Sequence, residues 1–127
     1  MTSNPTSPHG IILFAHGSRD PLWRLPMEAV ALRVRGLDPQ ATVACAYLEL
    51  TEPDLLACAA DMIAASVQSL TIVPLFLGVG KHAREDLPQL IADLKAAHPS
   101  ATITLQPAIG EDERVLDLLA HIAAAKA

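Results

Sequence analysis

The first apolar run of the chain, Gly10-Ile11-Ile12-Leu13-Phe14-Ala15-His16-Gly17-Ser18, sets the fold. Apolar residues follow one another here without polar alternation, the pattern of a strand buried on both faces. Such strands belong to parallel sheets covered by helices. The run stops at His16-Gly17-Ser18, so the first polar side chain past the strand is an imidazole.

Downstream, Asp20-Pro21 offers a helix start, but Pro26 interrupts it, and the regular helix is expected only from there. Met27, Val30, Ala31 and Val34 recur at helical spacing until Gly36, Asp38 and Pro39. A second strand is predicted over 41–48. A helix follows after Thr51 and Pro53, with Leu55, Leu56, Ala59, Met62 and Ile63 as its buried stripe. The third strand is predicted over 70–77, where Pro74 requires a bulge or local unpairing. A helix over 83–97 accommodates Pro88 only if its regular turns begin near that residue. A strand over 101–106 and a helix over 111–125 complete the chain, with Glu111, Asp112 and Glu113 at the positive end of the helix dipole.

Strands alternating with helices in this way predict an α/β domain: a parallel sheet with helices on both faces. Residues 1–9, polar and proline-bearing, read as a disordered tail, and 10–127 as a single domain. The formal charge of −5 argues against a nucleic-acid binder with a broad basic face. No run approaches the roughly 18 apolar residues of a membrane span, so a cytoplasmic protein is expected. Cys45 and Cys58 are too few and too far apart for a disulfide framework or a CxxC site. His9, His98 and His121 fall in the tail, at a helix end and on a helix face.

Ligands of open parallel sheets bind outside the carboxyl ends of the strands, where strand order reverses. Here His16 follows the first strand, Glu49 the second, and His82 lies in the loop after the third, in Leu75-Phe76-Leu77-Gly78-Val79-Gly80-Lys81-His82-Ala83-Arg84. In a 2-1-3-4 order these ends are neighbours, with strands ~4.8 Å apart. Three such side chains can converge on one first-row divalent ion, and spacing alone does not show whether His82 folds back to join them. Gly78 and Gly80 are expected to supply the pliable part of that loop. Imidazole also accepts protons near neutral pH. Arg19 and Arg24 follow the first strand, and Lys81 and Arg84 bracket His82, so an acidic protein gathers cations near one rim, where they suit carboxylates or phosphates. Ser18 can bond a ligand carboxylate or its own turn, and Trp23 supports the first loop. There is no GxGxxG and no P-loop to indicate a nucleotide.

The segments 12–21, 46–53 and 73–82, with His16-Gly17-Ser18, Glu49 and Val73-Pro74-Leu75-Phe76 among them, resemble the small CbiX-type sirohydrochlorin chelatases. The resemblance runs from about Gly10 to Ile122 and includes the otherwise awkward Pro74. It implies a three-layer chelatase half-domain with strand order 2-1-3-4. It also implies ATP-independent insertion of Co²⁺ or Fe²⁺ into sirohydrochlorin, with Ni²⁺ a further candidate ion, for cobalamin or sirohaem. On this reading His16 and His82 bind metal and remove protons, and Glu49 assists. Ser18, Arg19, Lys81 and Arg84 hold the carboxylates of the tetrapyrrole. No cofactor is implied beyond the substrate metal, and a homodimer takes the place of the two-domain single-chain chelatases. Two rivals stand beside it: a non-catalytic metal or tetrapyrrole carrier, and a histidine phosphatase. The phosphatase signature needs an arginine where Ala15 stands. A phosphoacceptor receiver domain would need acidic residues after the first strand and an aspartate ending the third, and neither is present.

Overall fold

The computed structural model describes residues 8–125. Four strands alternate with helices: β1 (His9–Ala15), α1 (Leu25–Leu37), β2 (Thr42–Tyr47), α2 (Leu55–Ala64), β3 (Ser69–Pro74), α3 (Lys81–Ala97) and β4 (Thr102–Leu105). A 3₁₀ turn, Ile109–Glu111, then leads to α4 (Glu113–Ala124). All strand pairs are parallel, in the order β2-β1-β3-β4, with Leu13 facing Cys45 on one side and Val73 on the other. The expected fold is borne out, and β1 is a central strand, which explains its unbroken apolar run.

Alternate strand residues serve two cores. Ile12, Phe14, Ala46, Leu70, Ile72 and Ile103 pack with α2 and α3 residues such as Leu55, Cys58, Ile91 and Leu94. Leu13 and Val43 meet Ala31 of α1 on the opposite face. Asp54 caps α2, its carboxylate accepting the Ala57 N–H at 2.8 Å. Pro26 lies in the first turn of α1, where its missing N–H costs no intrahelical bond.

Pro74 is the last residue of β3, not an interior one. The Leu75 N–H bonds Phe14 O on the β1 side, so the proline position faces β4, whose pairing with β3 has ended at Leu105. The missing donor therefore falls where the ladder stops, and the strand needs no bulge.

Four expectations are corrected. His9 belongs to β1, not to the tail: it pairs with Ser69, and its ring bonds Ser69 Oγ at 2.6 Å and Thr71 Oγ1 at 3.1 Å. The rest of the tail through residue 7 lies outside the described residues. The third strand ends at Pro74, short of the expected residue 77. Helix α3 starts at Lys81, so Pro88 lies inside it; it is exposed, and it removes only the N–H that would bond the Arg84 carbonyl. Glu111 closes the 3₁₀ turn, and α4 begins two residues later behind the Asp112 cap.

Candidate active site

The ladder continues past the ends of β1 and β2. The Leu48 N–H donates to Ala15 O and the Glu49 N–H to His16 O, both at 2.9 Å. His16 is thus held to the Glu49 backbone, as the strand-end reading requires. Gly17 makes this closeness possible. Its φ is +107°, and a Cβ there would lie 1.7 Å from the Glu49 carbonyl oxygen. Only glycine fits a left-handed φ against that backbone.

A second lock lies one residue further on. The Thr51 hydroxyl accepts the Ser18 N–H at 3.0 Å and donates to the Ser18 carbonyl at 2.8 Å. The turn that delivers Thr51 puts Leu50 at φ +64°, with the Thr51 N–H on Glu49 O at 2.8 Å. One side chain thereby satisfies both backbone groups of Ser18 and fixes the loop that carries His16.

On the β3 side, the His16 ring lies over Phe76, with centroids 4.4 Å apart and planes tilted by 38°. Phe76 is 1% exposed and meets Phe14 edge-on at 5.8 Å, so it is a rigid support. Gly110 fastens the loop after Phe76: its N–H donates to Phe76 O at 3.0 Å, and a Cβ there would come within 1.7 Å of Leu77 O. Gly78 and Gly80 have neither a positive φ nor a neighbour within 4 Å, so the glycines this site needs are Gly17 and Gly110, not the pair expected from the sequence.

The sequence-predicted residues are distributed as follows. His16 and Glu49 are exposed at adjacent strand ends, linked through their backbones. His82 is the second residue of α3, and its side chain lies outside the described part of the structure. Among the described residues, no three His, Cys, Asp or Glu side chains are gathered tightly enough to hold an ion. Ser18 commits its oxygen to its own turn, accepting the Asp20 N–H at 3.1 Å. Arg19, Lys81 and Arg84 are exposed. Arg84 borders a groove of about 630 Å³ that Phe76, Leu77, Leu87 and Glu111 also line, beside the loop that leads from His16's support to α3. Arg24 is paired with Glu28 at 3.0 Å and lines a different depression, with Cys45 and Tyr47 under α1. It is therefore turned away from the group of cations assigned to the rim. Trp23 rests 6.0 Å from Tyr47 and supports the first loop as expected. Burial raises both thiols, Cys58 up to about 11, so neither is a nucleophile at neutral pH.

Sequence reasoning missed Phe76 and Thr51 as parts of this site. Phe76 reads only as one more apolar residue. Nothing local marks a threonine 33 residues after Ser18 as its hydrogen-bond partner.

A parallel sheet in the order 2-1-3-4, with an imidazole closing its central strand and a carboxylate on the adjoining strand end, defines an α/β domain of the chelatase type. The chain belongs to the CbiX family, whose model matches residues 10–125. It is similar to the crystal structure of a putative cobalamin (vitamin B12) biosynthesis CbiX protein from Marinobacter aquaeolei (37% identity, TM-score 0.78, 91% of this chain and 94% of that one). It is similar also to the sirohydrochlorin chelatase SirB from Bacillus subtilis subspecies spizizenii in complex with cobalt (26% identity, TM-score 0.76), covering 90% of this chain but 49% of SirB. Among curated relatives, the sirohydrochlorin cobaltochelatase of Methanopyrus kandleri is 31% identical over 81 residues, which are 64% of this chain and 57% of that protein. That of Sulfolobus acidocaldarius is 27% identical over 110 residues, 87% of this chain and 85% of its own length. No helix among the described residues is long and apolar enough to cross a membrane.

Proposed function

We propose that this chain inserts a divalent metal, Co²⁺ or Fe²⁺, into sirohydrochlorin without ATP. The observation that carries the reading is the position of His16. It closes the central strand at the point where strand order reverses, is tied to Glu49 through the backbone, and is propped on a buried phenylalanine. The names and bound cobalt of its relatives point to the same chemistry.

Insertion replaces two pyrrole N–H protons by one M²⁺, so the site must deliver an ion and take up two protons. A neutral imidazole does both in turn, since the nitrogen that releases the metal is free to accept a proton. We assign the metal-delivering and proton-accepting roles to His16 and His82, with Glu49 completing the ligation or relaying protons to water. Two imidazoles and a carboxylate suit a first-row ion and leave positions open for the ring nitrogens. Arg19, Lys81 and Arg84 are assigned to the carboxylate arms of the substrate, which a guanidinium can hold bidentately. Ser18 contributes its remaining hydroxyl proton. The chain needs no cofactor beyond the metal it transfers, works in the cytoplasm, and supplies cobalamin or sirohaem synthesis. It acts as a homodimer, a reading supported by the chain's span of 49% of the SirB chain, so that two copies supply one SirB equivalent.

The test mixes purified protein anaerobically with sirohydrochlorin and Co²⁺, Fe²⁺ or Ni²⁺ in turn and follows the absorbance change of the ring. Insertion faster than the metal-only control is expected with at least one of Co²⁺ and Fe²⁺. Tetrapyrrole or metal binding without acceleration would replace the enzyme by a carrier. Hydrolysis of a phosphate ester, lost in His16→Ala, would replace it by a phosphatase.

A further inference from the structure

Leu50 is a large apolar residue that the fold itself has little reason to keep. It is the centre of a three-residue turn, with φ +64° and the Thr51 N–H donating back to Glu49 O at 2.8 Å. Glycine or asparagine takes such a backbone readily, whereas a bulky apolar side chain there is strained. Among the described residues only Ser66 shares a positive φ without being glycine. The leucine gains little inside its own chain, because it is 56% exposed and belongs to neither core. Exposed leucines scattered on helices, such as Leu32 on α1, carry no such strain and need no explanation. Leu50 does need one.

Its place in the fold suggests the contact. Leu50 comes directly after Glu49, whose N–H is bonded to His16 O, on the β2 side of the site. On the β3 side stands Leu77, directly after the Phe76 that supports the His16 ring. Leu77 is 62% exposed, and its carbonyl oxygen lies where a Cβ on Gly110 would meet it at 1.7 Å, so the backbone beneath this side chain is held in place. Because β1 runs between β2 and β3, the two leucines follow the strands on either side of the one that His16 closes. Arg19 on the loop after β1, and Lys81 and Arg84 at the start of α3, are exposed around them. Two apolar side chains beside an imidazole, with cations further out, complement a ligand that is apolar at its centre and carboxylated at its edge.

We propose that Leu50 and Leu77 are ring-binding residues, which take the apolar macrocycle of the tetrapyrrole on either side of His16 while the cations take its carboxylate arms. The proposal rests on the insertion reading above and names the contacts that hold the ring over the imidazole. Apolar burial is non-directional, so the leucines hold the plane of the ring and leave its rotational setting to the cations. The strain at Leu50 is then kept for a contact made only when substrate is bound.

The test measures the dissociation constant of metal-free sirohydrochlorin, with a chelator present, from the absorbance change on binding to the full chain. It is run for the wild type, Leu50→Asn, Leu77→Asn and Leu50→Met. Each asparagine variant is expected to raise Kd about 10-fold or more through the lost apolar contact, and KM in the insertion assay should rise with it. Leu50→Met keeps an apolar side chain and should bind within about threefold of wild type. Asparagine suits the positive φ, so the urea midpoint of Leu50→Asn should equal or exceed that of the wild type, with the solution mass unchanged. Wild-type Kd in both asparagine variants overturns the proposal and leaves metal insertion standing. A lowered midpoint or a changed mass in Leu50→Asn also overturns it, by assigning the leucine to the fold or to a subunit contact. A wild type that binds the ring as expected but inserts no metal overturns the insertion reading alone, and one that does not bind the ring overturns both.

Discussion

Replacing Gly17 by alanine tests the packing that brings His16 and Glu49 together. The new Cβ would stand 1.7 Å from the Glu49 carbonyl oxygen, and contacts under 3.0 Å essentially do not occur, so the two segments must part by about 1.3 Å. A non-glycine residue held at φ +107° adds strain of about 1–3 kcal/mol. The separation also breaks the 2.9 Å bond from the Glu49 N–H to His16 O, worth about 1 kcal/mol net. A loss of roughly 2–4 kcal/mol follows, which at an m value near ~2 kcal/mol/M lowers the urea midpoint by about 1–2 M. The chemistry should suffer as well, because a misplacement of about 1 Å at a reacting group costs on the order of 100-fold in rate. Gly78→Ala is the control: nothing lies within 4 Å and φ is not positive, so stability should be unchanged or rise by about 0.4–1 kcal/mol. The assays are urea denaturation followed by circular dichroism and the initial rate of Co²⁺ insertion. A Gly17→Ala protein with the wild-type midpoint and a rate within about twofold of wild type would refute the argument.

Thr51→Val removes both bonds to Ser18 while keeping shape, and should lower the insertion rate by about 10-fold or more; Thr51→Ser should restore most of it. Equal rates in the valine and serine variants would show that the hydroxyl does not position the loop. Reversing charge in Lys81→Glu or Arg84→Glu should raise KM for sirohydrochlorin about 10-fold or more and leave the fold unchanged; an effect on kcat alone would contradict a role in holding carboxylates. The Cys58 thiol, pushed up to about 11, stays protonated through pH 9, so iodoacetamide should label it only as the pH approaches that value or the chain unfolds. Rapid labelling at pH 7.5 in the folded protein would show that burial does not protect it.

Most of the fold was legible because the apolar pattern reports burial directly. The unbroken run from Ile11 to Ala15 identified a central strand, and Pro26 placed the start of α1 to within a residue. The misreadings came from contacts that no local pattern encodes. His9 looked like tail because its partners, Ser69 and Thr71, lie 60 and 62 residues away. Pro88 seemed to demand a late helix start, yet an exposed proline within a long helix costs one hydrogen bond and the rest of the helix absorbs it. Of the site, the strand ends and their polar residues could be read off, since topology alone puts His16 beside Glu49. The supports under them, Phe76 and Thr51, could not, because their roles arise from packing across the sheet.

In the proposed function His16 is the group that holds the metal and accepts a pyrrole proton. The decisive measurement is the initial rate of Co²⁺ insertion into sirohydrochlorin by His16→Ala and His82→Ala beside the wild type, with fold and mass verified for each. His16→Ala is expected to fall to the rate of the metal-only control, and His82→Ala to fall with it. Near-wild-type turnover in His16→Ala would contradict it.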